Sequence, residues 1–377
     1  MTLIAVPVIY YHSVGLKNPH WRKNFLTLDL PYFENHLKYF SKHYKTISLK
    51  EYWEILNGIK DPVKRPLIIT FDDAYLDNWQ YVYPLLKKYG LKGTIFISPE
   101  FVDGRNLIRP NLLDVWNGNA DENDLIKWGF LSWEEMRIME ASGVMDIQSH
   151  TMSHTKYPVS DKLLDFHHHG ADYLYYIANS FPERKAYYIE DTEFENLLPY
   201  GYPVFEMQSA VIARQVKINP AFSDYCIDTF RDYDFGNYNF ENAFERIKDE
   251  YEKYKQNSSL ILSTESEEDY KNRIRYEIYE SKKIIEQKLN KKVEFLCWPH
   301  GDNNESLHRM ALEAGYLMTT RGKAQGISKT DPARIPERMG INFSTWFKKQ
   351  KTIFKLKAFS GKSPYSEFVK LKRYFVN

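Results

Sequence analysis

The sequence predicts an α/β protein built on a parallel sheet, and two features of its first half support this class. Short apolar runs, such as residues 6–14 and 67–71, alternate with stretches of helical periodicity, such as residues 79–90. The helical stretches stop at glycines, Gly90 and Gly143, where helices commonly end. Strand and helix alternating along one chain favour βα units, whose strands lie parallel.

The elements of residues 1–154 can be justified in order. A strand at 6–14 ends in the polar pair His12-Ser13, and a helix follows with Phe33, Leu37 and Phe40 at helical spacing. The remaining elements are a short strand at 45–49, a second helix, a strand at 67–71, a helix at 79–90, a strand at 92–98, a helix at 132–143 that opens with a capping box, and a strand at 144–150.

The regular alternation stops after His154. Residues 155–265 are rich in tyrosine and show no clean period, which indicates a long insertion or subdomain. Residues 267–290 predict an amphipathic helix, and strand and helix then alternate again to about residue 342. We therefore predict a barrel-type unit from 1–154 and 266–345, an insertion at 155–265, and a C-terminal tail at 346–377.

Composition excludes several classes of protein. The chain has 377 residues, of which 43% are apolar, and a formal charge of +1, so no global field attracts nucleic acid. Two cysteines are too few for a disulfide framework or a sulfur metal site. The first residues predict a strand rather than a signal peptide, and no apolar run reaches eighteen residues. A cytoplasmic location is the expectation.

Two carboxylates, Asp72 and Asp73, follow the apolar strand 67–71 directly. Adjacent like charges raise each other's pKa, so the pair needs a cation or a reaction that uses it. After the strand 144–147, His150 and His154 stand four residues apart, and both imidazoles can face one point if the segment forms a helical turn. Two histidines and one carboxylate with an open position match a catalytic zinc-type site, which leaves the second carboxylate free to act as a base.

These stretches resemble the polysaccharide deacetylases of carbohydrate esterase family 4, the NodB-homology group. The resemblance lies in "TFDDAYLDNW", "SHTMSH" and "CWPHGDNN", and "VPVIYYHSV" with "FENHLKYFSKHYKTISLKEYWEIL" is especially similar to the poly-N-acetylglucosamine deacetylase branch. It covers residues 4–154 and 268–343. It implies a distorted (β/α)7 TIM-like barrel, here with a long insertion after the histidine motif.

The resemblance also implies roles for single residues. Asp72 would be the general base, His12 the general acid, and the backbone amide of His300 part of the oxyanion hole. One divalent metal ion is expected, with zinc first and nickel, cobalt, iron or manganese as alternatives. Its implied ligands are Asp73, His150 and His154.

Two positions depart from the family pattern. Cys297 and Trp298 stand where many members carry an arginine that orients the catalytic aspartate, and either Arg334 or Arg338 is a replacement. Ala74 stands where glycine usually follows the aspartate pair, a change that ordinary backbone dihedral angles there would tolerate.

The implied activity is removal of N-acetyl groups from an amino-sugar glycan, with release of acetate. The alternatives are hydrolysis of another C–N bond or of an O-acetyl ester, a catalytically idle glycan-binding module that keeps its metal site, and a basic-tailed scaffold. The tail carries nine basic residues and one glutamate from residue 348 onwards, interleaved with aromatics. It predicts either peripheral membrane contact, with a lipid-linked saccharide as substrate, or a helix packed on the barrel. The triplet His167–His169 is predicted to be a solvated loop.

Overall fold

The structure is a computed structural model, and it describes residues 5–171, 174–323 and 331–367. The strands are β1 (Val8–Tyr11), β2 (Ser13–Gly15), β3 (Thr27–Asp29), β4 (Lys45–Thr46), β5 (Pro66–Asp72), β6 (Gly93–Ile97), β7 (Met145–Ser149), β8 (Lys156–Phe166), β9 (Pro203–Ser209), β10 (Val216–Ile218), β11 (Ile261–Thr264), β12 (Phe295–Leu296), β13 (Met318–Thr320), β14 (Arg334–Ile335) and β15 (Arg338–Met339).

The α-helices are α1 (Leu30–His43), α2 (Leu49–Leu56), α3 (Tyr83–Lys88), α4 (Leu112–Trp116), α5 (Trp133–Ala141), α6 (Leu174–Ser180), α7 (Pro220–Thr229), α8 (Phe240–Gln256), α9 (Glu267–Arg275), α10 (Ser281–Leu289), α11 (Glu305–Glu313) and α12 (Trp346–Phe359). A π-helical turn, Tyr276–Glu280, joins α9 to α10. The capping box predicted for α5 is confirmed, because Ser132 accepts from the amide of Glu135 and Glu135 bonds back.

The central sheet is parallel throughout and runs in the order β14-β13-β12-β7-β6-β5-β1-β15, with β4 beside β5. Its two edge strands, β14 and β15, are consecutive in the chain and are separated only by Pro336 and Glu337. One six-residue segment, 334–339, therefore pairs with β13 on one side and with β1 on the other. This segment connects the two edges of the sheet, as the seventh strand of a distorted (β/α)7 barrel does.

Two apolar clusters cover the two faces of this sheet. Ile69 and Phe71 of β5 belong to the large outer cluster, where they pack among residues of α1, α3 and α5. Ile68, which directly precedes Ile69 and therefore points to the opposite face of the strand, belongs to the second cluster. The second cluster joins side chains from strands across the sheet, and its strand members include Val8, Ile68, Phe96, Phe295, Met318 and Ile335. A cluster shared by strands near both ends of the sheet is what a closed, curved sheet produces.

Residues 156–264 fold mainly on themselves. Two antiparallel pairs, β8 with β9 and β10 with β11, lie outside the central sheet. Their apolar side chains form two further clusters, and the fully buried phenylalanines Phe166, Phe205 and Phe222 lie in one of them. Many aromatic residues of this stretch therefore fill a core. The domain boundaries set out above remain a prediction.

The histidine triplet in this stretch differs from the solvated loop that the sequence predicts. His167 is fully buried, and the ring of His168 stacks on Tyr238 at 4.1 Å between centroids. Only His169 is well exposed, with 80% of its side chain accessible. The prediction is wrong for the first two residues, because neighbouring aromatic rings cover them.

The C-terminal segment is a helix in its described part. Leu356 of α12 is fully buried in the large cluster, as expected for a helix packed on the barrel. At the other end of α12, Trp346 and Phe347 are 75% and 71% exposed beside Lys348. The rest of the predicted tail, residues 368–377, lies outside the described residues. Among the helices of the described residues, none has the length and apolar character needed to cross a membrane.

Candidate metal centre

Asp72 and Asp73 lie where β5 ends. All seven residues of β5 are buried, and Asp72 is the last of them. Asp73 and Ala74 then take left-handed backbone angles, with φ of +75° and +58°. The condition under which alanine would be tolerated at position 74, ordinary backbone dihedral angles, is therefore not met. The left-handed region disfavours a Cβ by about 1 kcal/mol, which explains why glycine suits this position better.

Asp72 is held by an arginine from the segment that connects the sheet edges. The guanidinium of Arg338 donates to both carboxylate oxygens, over 2.7 and 2.9 Å, and Nε2 of His12 lies 3.9 Å from Oδ2. Burial raises the pKa of Asp72, but the charge and hydrogen bonds of Arg338, together with the nearby His150 and His12, outweigh this effect, and the pKa lies below its usual value. Of the two arginines proposed from the sequence, Arg338 contacts Asp72, whereas Arg334 donates to Asn303.

Asp73 faces the two histidines that the sequence singles out. Its Oδ1 lies 3.4 Å from Nε2 of His150 and 3.3 Å from Nε2 of His154. The histidines follow β7 in an irregular turn, with φ of +63° at Thr151 and +42° at His154, rather than in the helical turn expected. The two imidazoles nevertheless converge on one carboxylate.

This trio fits a divalent metal ion. Its three donor atoms all lie within 4.8 Å of one another, and the buried Oδ1 of Asp73 has no hydrogen-bond partner among the described residues. Nδ1 of His150 lies 2.7 Å from the carbonyl oxygen of Cys297, so the ring donates there and keeps the lone pair of Nε2 for an ion. Two imidazole nitrogens and a carboxylate are also the donors found in hydrolytic zinc sites.

A second group of possible ligands shares one histidine with the first. Asp72, His150 and Cys297 also bring their donor atoms within 4.8 Å of one another. However, Asp72 already accepts two hydrogen bonds from Arg338, and a guanidinium in that position opposes a cation at the same carboxylate. The trio around Asp73 is therefore the better site.

His300 lies beside the trio, in the short turn Pro299–Gly301. Its ring packs against His154 at 4.6 Å between centroids, and the hydroxyl of Tyr175 lies 3.3 Å from its Nε2. Burial, assisted by the charge of His154, lowers the pKa of His300 to about 2, so the ring is neutral and accepts from Tyr175. The turn has φ of +57° at His300, and the amide of Lys323 donates to the carbonyl of Gly301 over 2.7 Å.

Two buried charged residues beside the centre, Lys185 and Glu277, were not identified from the sequence. Both contact the turn that carries the histidines. Glu277 could have been identified from the sequence. It lies next to Ile278 on the apolar side of its helix, where a carboxylate is unusual. Lys185 lies in the insertion, where the sequence contains no comparable signal.

The chain is similar to known polysaccharide deacetylases. Residues 59–184 match the family model of the polysaccharide deacetylases, a stretch that contains Asp72, Asp73, His150 and His154. YxkH of Bacillus subtilis (strain 168), a candidate polysaccharide deacetylase, is 31% identical over 150 residues, which is 40% of this chain and 43% of YxkH. The chain thus matches less than half the length of that relative. Residues 59–184 are thus similar to a polysaccharide deacetylase domain, and this confirms the resemblance noted from the sequence.

Two solved structures share the fold over almost the whole chain. A de-N-acetylase from Aggregatibacter actinomycetemcomitans has a TM-score of 0.54 at 18% identity, with 92% of this chain and 98% of that chain covered. The BpsB deacetylase domain from Bordetella bronchiseptica has a TM-score of 0.51 at 15% identity, with 89% and 96% covered. At these identities the likeness concerns the fold.

The metal centre leads to a binding prediction. We expect the protein to bind one equivalent of Zn²⁺ in isothermal titration calorimetry, and Asp73→Asn and His154→Ala to abolish this binding because each removes a ligand. Cys297→Ser serves as the matched control and should bind like the unaltered protein. Loss of binding in Cys297→Ser together with retention in Asp73→Asn would show that the second group of ligands holds the ion.

Proposed function

We propose that the protein is a metal-dependent hydrolase that removes N-acetyl groups from an amino-sugar glycan and releases acetate. One observation carries this proposal. Asp73 faces two imidazoles, while its neighbour Asp72 is held apart by Arg338 and remains within 3.9 Å of His12. The arrangement provides a metal site and a separate acid–base pair side by side, and amide hydrolysis needs both.

Asp73, His150 and His154 would hold the ion, with zinc the first choice and nickel, cobalt, iron or manganese as alternatives. A divalent ion bound there would polarise the acetyl carbonyl and make water more acidic.

Asp72 would take the proton of the attacking water. Arg338 favours its ionised form and fixes its plane through two hydrogen bonds, so the carboxylate is charged and oriented at neutral pH. His12, on the other side of Asp72, would then donate a proton to the departing sugar amine. The two proton transfers thus use different side chains whose reacting atoms lie next to each other.

The backbone amide of His300 would stabilise the oxyanion. Its turn is closely packed, since a Cβ on Gly322 would come within 2.1 Å of the carbonyl oxygen of Gly301. The hydrogen bond from Tyr175 to the His300 ring restrains the same turn from the insertion side. An amide donor in a rigid turn needs no reorganisation when charge develops on the substrate, and this is the property that makes oxyanion holes effective.

The first test concerns the general base. We expect Asp72→Asn to bind Zn²⁺ as the unaltered protein does but to release acetate from N-acetylated chito-oligosaccharides at least 100-fold more slowly, because the amide cannot accept the proton. Acetate release is followed by mass spectrometry. Turnover close to that of the unaltered protein would contradict the assignment of Asp72.

Matched substrates separate the alternatives in the same assay. Release from O-acetylated but not N-acetylated glycans would favour the esterase alternative. If the metal-loaded protein binds glycans and hydrolyses neither type, the idle binding module is supported instead.

The second test concerns the charge of Arg338. In Arg338→Met the burial of Asp72 is no longer opposed by the guanidinium, so the pKa of Asp72 rises and the carboxylate is protonated at a higher pH. We therefore expect the acidic limb of the pH profile of kcat/KM to move to higher pH. Arg334→Met is the matched control, because Arg334 is buried nearby and does not contact Asp72. An unmoved limb in Arg338→Met would show that Arg338 does not control this ionisation.

We propose in addition that the substrate saccharide is lipid-linked. The centre opens into a cavity of about 900 Å³, and the insertion lines part of it with the apolar side chains Leu164, Leu174, Val204 and Met207. Leu164 is 44% exposed there, which leaves apolar surface for a ligand to cover. A sugar bound at the metal centre would place an apolar aglycone on this side of the cavity.

An alkyl glycoside tests the apolar wall. We expect an octyl glycoside of an N-acetylated disaccharide to have a kcat/KM about tenfold higher than the methyl glycoside, and Leu164→Ser to remove most of this preference. Leu262→Ser is the control, because Leu262 is an equally exposed leucine of the insertion that does not line the cavity. Equal kcat/KM for the two glycosides in the unaltered protein would refute the lipid-linked substrate while leaving the deacetylase proposal intact.

A further inference from the structure

The turn between the two histidines is tied down by three different parts of the chain. The amides of Met152 and Ser153 and both of their carbonyl oxygens make hydrogen bonds, and every one of these bonds goes to a residue outside the turn. A turn with left-handed residues at Thr151 and His154 gains no support from a regular helix. Its shape therefore depends on these outside partners.

Glu277, from the π-helical turn between α9 and α10, provides the first support. Its carboxylate is 1% exposed, and Oε2 accepts from the amides of Met152 and Ser153, each over 3.0 Å. Its Oε1 accepts from the hydroxyl of Ser153. One buried carboxylate thus satisfies three donors of the turn, and a charged acceptor makes each of these bonds stronger than a neutral one.

Lys185, from the insertion, provides the second support. It lies in the 3-10 turn Pro182–Tyr187 and is also 1% exposed. Its ammonium group donates to the carbonyl oxygen of Ser153 and, over 2.8 Å, to Oε2 of Glu100, and it lies 4.7 Å above the ring of Phe101. The insertion therefore reaches into the barrel and bonds the residue that precedes His154.

Glu100 completes the arrangement from the end of β6. Its amide donates to the carbonyl oxygen of Met152 over 3.2 Å, and its Oε1 accepts from the hydroxyl of Tyr276 over 3.0 Å. Lys185 and Glu277 are opposite charges buried on the same short turn. Lys185 forms its ion pair with Glu100, and the nearby negative charge of Glu277 adds to the compensation of the buried ammonium group, so the two supports also stabilise each other electrostatically.

We propose that Lys185 and Glu277 are positioning residues for the metal centre, which fix the turn so that His150 and His154 reach the same ion. The insertion is then a structural part of the metal centre. This inference rests on the metal site of the proposed function. Its readout is metal binding, which does not require that the substrate has been identified.

The test compares Zn²⁺ affinity and the visible spectrum of bound Co²⁺ across matched variants of the full chain. We expect Lys185→Met to weaken Zn²⁺ binding by 10- to 100-fold, measured by competition with a chelating indicator, and to change the Co²⁺ absorption because the ligand geometry changes. Lys185→Arg, which retains a charged donor, should recover part of the affinity. If Lys185→Met does not fold, Glu277→Gln, which retains the shape of the side chain, decides with the same two readouts.

Lys291→Met is the control for a general loss of stability. Lys291 is likewise an enclosed lysine that bonds two carboxylates, Glu140 and Asp146, and a main-chain oxygen, that of Ile147, but it does not contact the turn. We expect this variant to lose thermal stability and to keep the Zn²⁺ affinity and the Co²⁺ spectrum of the unaltered protein. Unchanged affinity and spectrum in both Lys185→Met and Glu277→Gln would overturn the proposal. Failure of the unaltered protein to bind Zn²⁺ would instead overturn the metal centre itself.

Discussion

The site depends on keeping two neighbouring carboxylates apart. Asp72 and Asp73 are adjacent in the chain, and in a shared environment each would oppose the ionisation of the other. The left-handed backbone at Asp73 gives them different surroundings: Asp72 meets a guanidinium at 2.7 and 2.9 Å, and Asp73 meets two imidazoles at 3.3 and 3.4 Å. Each negative charge has its own source of compensation, so the roles proposed for the two carboxylates, ion binding by Asp73 and proton acceptance by Asp72, do not conflict.

The parallel register of the strands determines which side chains surround the two carboxylates. Asp72 pairs with Phe96 in β6, and Phe96 pairs with Gln148 in β7, so the carboxyl ends of the three strands lie at one edge. The polar residues that follow these strands meet there, as they do in parallel α/β barrels generally. Arg338 pairs with Val8, which is level with Ile68 in β5, so its long side chain extends past Thr70 to reach Asp72 at this edge. The geometry of the site therefore follows from the strand order.

The sequence predicts those parts of the molecule that rest on local patterns. The strand before Asp72, the capping box at Ser132 and the convergence of the histidines after β7 all follow from short stretches of residues. The choice between Arg334 and Arg338 could not be made in this way, because it depends on which residue of the last strand pairs with β1. The burial of His167 and His168 by aromatic neighbours was missed for the same reason.

Residues that act through long-range contacts are the least visible in the sequence. Lys185 is 32 positions from the carbonyl group that it bonds, and Glu277 is 124 positions from Ser153. A lone lysine in a tyrosine-rich segment has no local feature that marks it as buried. Ala74 shows the same limit on a smaller scale, since its left-handed angle follows from how β5 meets its neighbours and is not encoded by the residue itself.

The segment 334–339 both joins the sheet edges and supplies Arg338, and this has a consequence during translation. Residues 73–154 leave the ribosome long before residue 338, so a nascent chain can bring together the three candidate ion ligands while Asp72 still lacks its counter-charge. At that stage β1 and β13 also each have an unpaired edge. When the segment 334–339 docks, it supplies Arg338 to Asp72 and pairs with the free edges of β1 and β13. The step that joins the two edges of the sheet therefore also supplies the counter-charge of Asp72.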